Sequence, residues 1–364
     1  MNNDNFSDFL FARNGHMLTV SGELFRVEES NALEVAREHG TGVVGLIPFD
    51  PQKKPLLMVP CDWKTVSLRA AESCTDMPQP TSISGLDNPA YREAVAVALE
   101  RLNRGELDKV VLARLLEVSY ENAAINPADL YRNLLVQQPR AFVFSAKLPE
   151  SQNYLMGASP ELVLRSVDGQ FVTHPLAGSS PRIRPLGSTE DVQAGEGLMH
   201  STKDRAEHAT VVDDIRARFE PFTQELEVPS VPSLLATPQL WHLGTRIIGK
   251  LLADVTSLDG ARAIHPTPAI CGFPTSPALK LIQELENFDR GYFGGLVGWM
   301  DTEGNGEWAL TLRCAEVSRN HAKLFAGAGI IKGSTPASEH QETAHKLGSF
   351  GQALNILTFP INQV

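Results

Sequence analysis

From Arg140 to Leu176 the chain sets four apolar runs one after another with few residues between them: RAFVFSA, NYLMGAS, ELVLRSV and QFVTHPL. Each reads as a strand, and Asp168-Gly169 between the last two is a hairpin turn. DKVVLARLLEV, just before them, reads as a buried strand. The final hundred residues mix types again. A helix is expected near ALKLIQELE, strands at YFGGLVGWM, EWALTLRCAEV and AKLFAGAGII, and a last helix from Pro336 onward. Asp301 to Gly306 is rich in turn residues and reads as a hairpin loop. Hairpin-like strand pairs with scattered helices predict an α+β fold, not a doubly wound parallel sheet.

The first ninety residues, 1–90, are less distinctive. They hold the strand-like pieces HMLTV, TGVVGLIPF and PLLMVP and end in CTDMPQPTSISG, the best candidate for a linker. A clear helix then opens the stretch 91–364. Asn88 caps it, Pro89 suits its first turn, Tyr91, Val95, Leu99 and Leu102 repeat at helical spacing, and Gly105 stops it.

Composition narrows the function class. With 364 residues, 42% of them apolar, the chain can bury a large core. Its net charge of -11 argues against a sequence-independent nucleic-acid binder, which needs a basic face, but leaves room for a local cationic pocket. No apolar run approaches the ~20 residues that span a bilayer. The amino terminus lacks the pattern of a secretory leader. Cys61, Cys74, Cys271 and Cys314 show no zinc-ligand spacing and read as buried thiols in a reducing, cytoplasmic setting.

Two helices carry acids on their apolar side. In STKDRAEHATVVDDIRARF, from about Ser201 to Phe219, Asp204 and Glu207 share a face with Val211 and Ile215. In the last helix, which Thr335 caps, Glu339, Glu342, Lys346 and Phe350 share a stripe. Two readings fit. The acids lie at the polar margin of ordinary amphipathic helices, or they meet around a shared hard cation such as magnesium, because a buried carboxylate needs compensation.

Other residues carry similar pairs of readings. Lys109 heads an apolar strand and is a surface residue or a desolvated base. Glu161 opens another and is solvated, or buried and able to donate a proton. The loop after His174, PLAGSSPR, is a surface turn or offers backbone N–H groups to an anion. Gly327 and Gly329 mark close backbone approach within a strand. Arg313 within ALTLRCA demands an anionic partner. His242 is a satisfied core histidine or a contact to a ligand.

Ten blocks in order give these pieces a common source: LDKVVLAR, GASPELVLR, HPLAGSSPR, STKDRAEHATVVDDI, LWHLGTRI, HPTPAICGFP, RGYFGGLVGW, LTLRCAEV, LFAGAGIIKGS and EHQETAHKL. Together they resemble the chorismate-utilising enzyme family, over roughly two thirds of the chain from Leu107 to Lys346. The resemblance implies a single large chorismate-binding domain with two β-sheets packed around helices, in which 1–90 belong to the same fold and 91–364 form the catalytic core. It implies chorismate as substrate and Mg²⁺ as cofactor. Lys109 would activate water for attack on ring carbon 2, and Glu161 would protonate the departing 4-hydroxyl. Glu207 and Glu342 would hold the metal, supported by Asp204 and Glu339. Arg313 and the Gly327–Gly329 backbone would grip the pyruvyl carboxylate, His242 would contact the substrate, and Leu176, Ala177 and Gly178 would line the pocket. Within the family, Ala177, Ala269 and Phe293 are similar to the isochorismate-forming branch that feeds 2,3-dihydroxybenzoate siderophores. A lyase that makes salicylate or anthranilate with release of pyruvate, a menaquinone-type isomerase, and a non-catalytic binding protein are the alternatives. No nucleic acid, membrane or amidotransferase partner is expected, and the chain is expected to act as a monomer.

Overall fold

A computed structural model of the chain describes residues 6–68 and 73–356. The amino-terminal stretch read for a leader therefore begins outside the described residues. In chain order the elements are β1 (Phe9–Arg13), β2 (His16–Val27), α1 (Ala32–His39), β3 (Val43–Ile47), β4 (Leu56–Ser67), β5 (Ser82–Ser84), α2 (Pro89–Asn103), β6 (Lys109–Ser119) and α3 (Pro127–Gln137). Then come β7 (Phe142–Lys147), β8 (Tyr154–Ser159), β9 (Leu162–Val167), β10 (Gln170–His174), β11 (Leu176–Pro181), α4 (Thr189–His200), α5 (Thr202–Phe219), β12 (Thr223–Glu227), β13 (Ser233–Ala236), β14 (Leu240–Gly244) and β15 (Ile247–Leu251). The chain continues through α6 (Ser257–Ile264), β16 (Gly272–Phe273), α7 (Thr275–Leu285), β17 (Leu296–Met300), β18 (Gly306–Leu310), β19 (Cys314–Val317), β20 (His321–Ile330) and α8 (Pro336–Gly351).

Seventeen strands form one antiparallel ribbon. Its order is β5, β6, β20, β19, β8, β7, β1, β2, β4, β3, β17, β18, β9, β10, β15 and β12, with β16 beside the start of β6. The ribbon turns at β2 and β4, which pair over their length around a bulge between Ser21 and Leu24. Its two halves bury their inner faces against each other. Phe9, Phe11, Phe142 and Phe144 from one half meet Val44, Leu46, Leu162 and Val297 from the other. Helices cover the outer faces. Residues of α3 and α8 pack with Leu116, Val118 and Met156, while α1, α2, α5, α6 and α7 contribute to the cluster around Trp308 and Leu164. Strands β11, β14 and β13 form a separate small sheet under α4 and α5. This is the α+β architecture that the hairpins predict.

Local signals worked where they were strong. Asn88 accepts the Tyr91 N–H at 3.0 Å to cap α2, and Gly105 ends the turn after it in the left-handed region. Asp168 and Gly169 both adopt positive φ between β9 and β10, as a type I′ hairpin requires.

Several expectations need correction. EWALTLRCAEV is not one strand: it is β18 and β19, interrupted at Thr311-Leu312-Arg313. YFGGLVGWM becomes strand only from Leu296, because Gly294 at positive φ belongs to the preceding turn. CTDMPQPTSISG is not a free linker: Met77 is buried, the Thr75 backbone pairs with Asn133, and Ser82–Ser84 adds to β6. Helices α1, α3, α4 and α6 were not anticipated; in α4, Gly195 and Gly197 dilute the helical signal. Cys271 and Cys314 are buried, but Cys61 and Cys74 are exposed. Cys61 lies where β4 runs out from under its cover, five buried residues giving way to exposed ones.

The interruption at Arg313 has a structural cause. The chain crosses from one layer to the other there, and it crosses again at Ser159-Pro160-Glu161 between β8 and β9. The two crossings lie side by side. Ala158 donates its N–H to the Arg313 carbonyl and Leu310 donates to the Glu161 carbonyl, each at 3.2 Å.

Candidate active site

One pocket opens beside these crossings, bounded by α5, α8, β11, β20 and the turn around Ala269. Glu161, Arg313, Leu176, Ala177, Gly178, His242, Ala269, Gly327, Gly329, Asp204, Glu207 and Glu342 all lie on its wall. Lys109 and Glu339 are not on that wall, but each contacts a residue that is, Glu207 and Lys203 respectively.

Lys109 is the first residue of β6, and its side chain is only 3% exposed. It is not a surface residue. Its Nζ donates to Glu207 Oε1 at 2.7 Å. Gly329 makes this possible: a Cβ there would stand 2.7 Å from Glu207 Oε1 and 2.9 Å from Lys109 Cε. The glycine in an apolar strand therefore marks close approach by a lysine–glutamate pair.

Glu161 is also buried, and its Oε1 accepts the Leu176 N–H at 3.2 Å. Burial pushes its carboxyl up from 4.5 to about 8, against the opposing pull of that N–H and of Lys109, Arg313 and Lys346. The segment after His174 is not a turn, the expectation common to both of its readings, but strand β11, and its Leu176 N–H serves Glu161 itself. Of the arginines close behind it, Arg182 is held by Asp191.

The acids of α5 and α8 face one another's charge. Asp204 is half-buried near the helix start, and Ser201 both caps the helix and donates its hydroxyl proton to the Asp204 carboxylate. Burial raises the Asp204 carboxyl and Glu207 and Glu342 raise it further, against Ser201 and Lys203. Burial and Glu342 likewise raise Glu339, whose Oε1 lies 3.8 Å from Lys203 Nζ. Glu342 differs: burial pushes it up, but Lys346, Lys203 and Arg313 together bring it below the ordinary value. Lys346 Nζ contacts Glu342 Oε1 at 2.6 Å and donates to the Gly327 carbonyl at 2.9 Å, tying α8 to β20. Among the described residues no three of these acids form a ready-made metal cluster.

Arg313 adopts φ +48 at the layer crossing, and burial lowers its guanidinium to about 10, against Glu342 and Glu161. Gly178, at φ +79, lets β11 pass close to α5: a Cβ would sit 3.0 Å from that of Asp204. Phe293 stacks on Phe325 with centroids 5.1 Å apart. Sequence reasoning overlooked Lys203, Ser179, Arg290 and Phe325 on the wall and gave Lys346 no role. Lys346 had a readable signal, standing four residues after Glu342 on the inward stripe. Arg290 likewise stands four residues after Glu286, with which it pairs, but its other partners, the backbone carbonyls of Val111 and Ile270, are distant in sequence.

Residues 61–355 match the family described as chorismate binding enzyme. The chain is 40% identical over 314 residues to the isochorismate synthase EntC of Escherichia coli strain K12, covering 84% of this chain and 79% of that protein. It is 38% identical over 353 residues to the isochorismate synthase DhbC of Bacillus subtilis strain 168, covering 93% and 87%. Its fold superposes on a Bacillus anthracis structure, described as a proposed 2,3-dihydroxybenzoate-specific isochorismate synthase, with a TM-score of 0.89 and 33% identity over 97% of this chain and 98% of that one.

Proposed function

The chain belongs to the chorismate-binding enzyme family, and from that premise we propose that it converts chorismate to isochorismate. Water adds at ring carbon 2, both ring double bonds shift by one position toward carbon 4, and the 4-hydroxyl leaves as water, so no atoms are gained or lost overall. Lys109, oriented by Glu207, takes the proton of the attacking water. Glu161 gives its proton to the departing hydroxyl. The observation that carries the reading is Glu161 itself: a carboxyl held up to about 8 in a pocket that also presents Arg313 and Lys346. That is an acid able to keep its proton at neutral pH beside groups suited to a polyanion.

The carboxylates fit a hard divalent cation. Asp204 and Glu339 are both raised by burial and by neighbouring carboxylates, a surplus of negative charge that such an ion relieves. We assign Glu207 and Glu342 to Mg²⁺, with Asp204 and Glu339 in support. When bound, the ion would act as a Lewis acid toward the substrate's ring carboxylate. Arg313 and the Gly327–Gly329 backbone hold the pyruvyl carboxylate, His242 contacts the substrate, and Leu176, Ala177, Gly178 and Ala269 shape the pocket.

The product is assigned to 2,3-dihydroxybenzoate siderophore synthesis; 2,3-dihydroxybenzoate is the specificity named for the Bacillus anthracis protein. The reading includes a cytoplasmic setting and a monomer that acts without an amidotransferase subunit. Among the described residues no helix is long and apolar enough to cross a membrane.

Product analysis tests the reading. Purified protein given chorismate and Mg²⁺ is expected to form isochorismate, none with chelator, and no pyruvate in a coupled lactate dehydrogenase assay. Salicylate with pyruvate would overturn the isomerase assignment in favour of a lyase. Tight chorismate binding without turnover would overturn it in favour of a binding protein.

A further inference from the structure

His242 lies on β14, directly opposite Ser179 of β11 in the small sheet. The residue is 4% exposed, and its ring borders the pocket. Its Nδ1 lies 2.8 Å from Ser179 Oγ. Its Nε2 is buried and has no hydrogen-bond partner among the described residues. Burial, with the charges of Arg313 and Lys346, pushes the imidazole well below its ordinary value. The ring is therefore neutral, and which nitrogen carries its single proton decides what it offers a ligand.

Two arrangements are available to the pair. If Nδ1 carried the proton, it would donate to Ser179 Oγ, and the serine hydroxyl would need another acceptor. Among the described residues Ser179 Oγ has no other partner. The Nε2 lone pair would then be left unmatched in a buried place, which is costly, and the proton of the half-buried Ser179 hydroxyl would have no acceptor among the described residues. If Ser179 donates to Nδ1, the hydroxyl is satisfied and only the Nε2–H remains. It belongs to a ring on the pocket wall. Arg313 and Lys346 face the same pocket, so a third donor suits the same oxygen-rich ligand.

We propose that Ser179 is a positioning residue for the reaction: its hydroxyl donates to His242 Nδ1, which fixes the proton on Nε2 and aims it into the pocket as a donor to a substrate oxygen. The identity of that acceptor rests on the chorismate isomerase reading; the tautomer does not. A serine in this role acts only through the ring, so removing it changes how the histidine presents its proton, not whether the substrate is held by Arg313.

The test combines spectroscopy with kinetics on the full chain. Long-range 15N–1H correlation at neutral pH, with the signal assigned by its absence in His242→Gln, is expected to show the Nε2–H form. Ser179→Ala is expected to lose that fixed form, mixing in the Nδ1–H form. Its kcat on chorismate with Mg²⁺ is expected to fall about tenfold, with KM and unfolding midpoint little changed. Ser179→Thr, which retains the hydroxyl, is expected to recover the tautomer and most of the turnover. An Nδ1–H ring in the unsubstituted protein would overturn the proposal. So would a Ser179→Ala variant whose tautomer or kcat is unaltered. Absence of turnover in the unsubstituted protein would count against the isomerase reading alone; an Nε2–H signal lost in Ser179→Ala would still uphold the role of Ser179 in setting the ring.

Discussion

At the scale of single residues, the site is a set of charged groups whose properties burial has altered. Glu161 is the clearest case. Its folded carboxyl is raised from 4.5 to about 8, so the folded state binds this proton more tightly than the unfolded chain. The resulting stability is fully present below about 4.5 and is lost as pH rises through about 8. Two outcomes follow for Glu161→Gln. Turnover should be abolished, because an amide cannot donate the proton. Denaturant titrations from pH 5 to pH 9 should show the unsubstituted protein losing stability relative to the variant, which has no carboxyl to ionise. In the unsubstituted enzyme, kcat/KM should decline on the alkaline side near pH 8, where the acid is lost. A profile flat to pH 9, or parallel stability curves, would show that Glu161 does not hold its proton as assigned. Residue types in the sequence pointed to Lys109, Glu161 and Arg313, but their burial was not readable there. A lysine or glutamate at a strand end is usually solvated, and only Glu207 and Gly329 on other elements explain why Lys109 is enclosed.

At the scale of elements, the inward acids of α5 and α8 were legible because helical spacing puts residues three and four apart on one face. Their stops and starts were legible too. Thr335 forms a capping box with Ser338, and Pro336 occupies the first turn of α8. The cap sets the start of the helix that carries Glu339 and Glu342. Thr335→Ala should cost about 1 kcal/mol in denaturant unfolding, and it should weaken Mg²⁺ activation by loosening that first turn. Unchanged stability and an unchanged Mg²⁺ titration would show that packing alone holds α8 in place. Strand boundaries were harder. ALTLRCA has a continuous apolar pattern, yet the strand breaks at Thr311-Leu312-Arg313 to change layers. Apolar patterning reports which residues are buried, and those on both sides of a crossing between two buried layers are buried alike. Among the helices the sequence pattern does not reveal, α4 owes its place to packing on the small sheet beneath it, whereas α1 and α6 are amphipathic but only eight residues long.

At the scale of the whole molecule, the folded ribbon joins the first ninety residues to the site. β1 pairs with β7, β3 pairs with β17, and Phe9, Phe11, Val44 and Leu46 fill the space between the layers. We propose that this part is integral to the same fold, although the family match begins at residue 61. A chain beginning at residue 61 should lack cooperative unfolding and bind a hydrophobic dye, because the inner faces of β7, β8 and β17 would lose their cover. Native-like near-ultraviolet dichroism with a sharp melting transition would contradict this. The sequence by itself determined the α+β class, the hairpin at Asp168-Gly169, the capped helices and the carboxylates on their inward faces. All of these depend on spacing and conformational preference within a few residues. Only the tertiary structure decided that the chain changes layers twice side by side, at Glu161 and at Arg313. It also decided that Gly329 makes room for Lys109 against Glu207, and that Ser179 meets His242. Those outcomes depend on contacts between residues far apart in the chain, where burial, charge and close approach are set by which strands come to lie together.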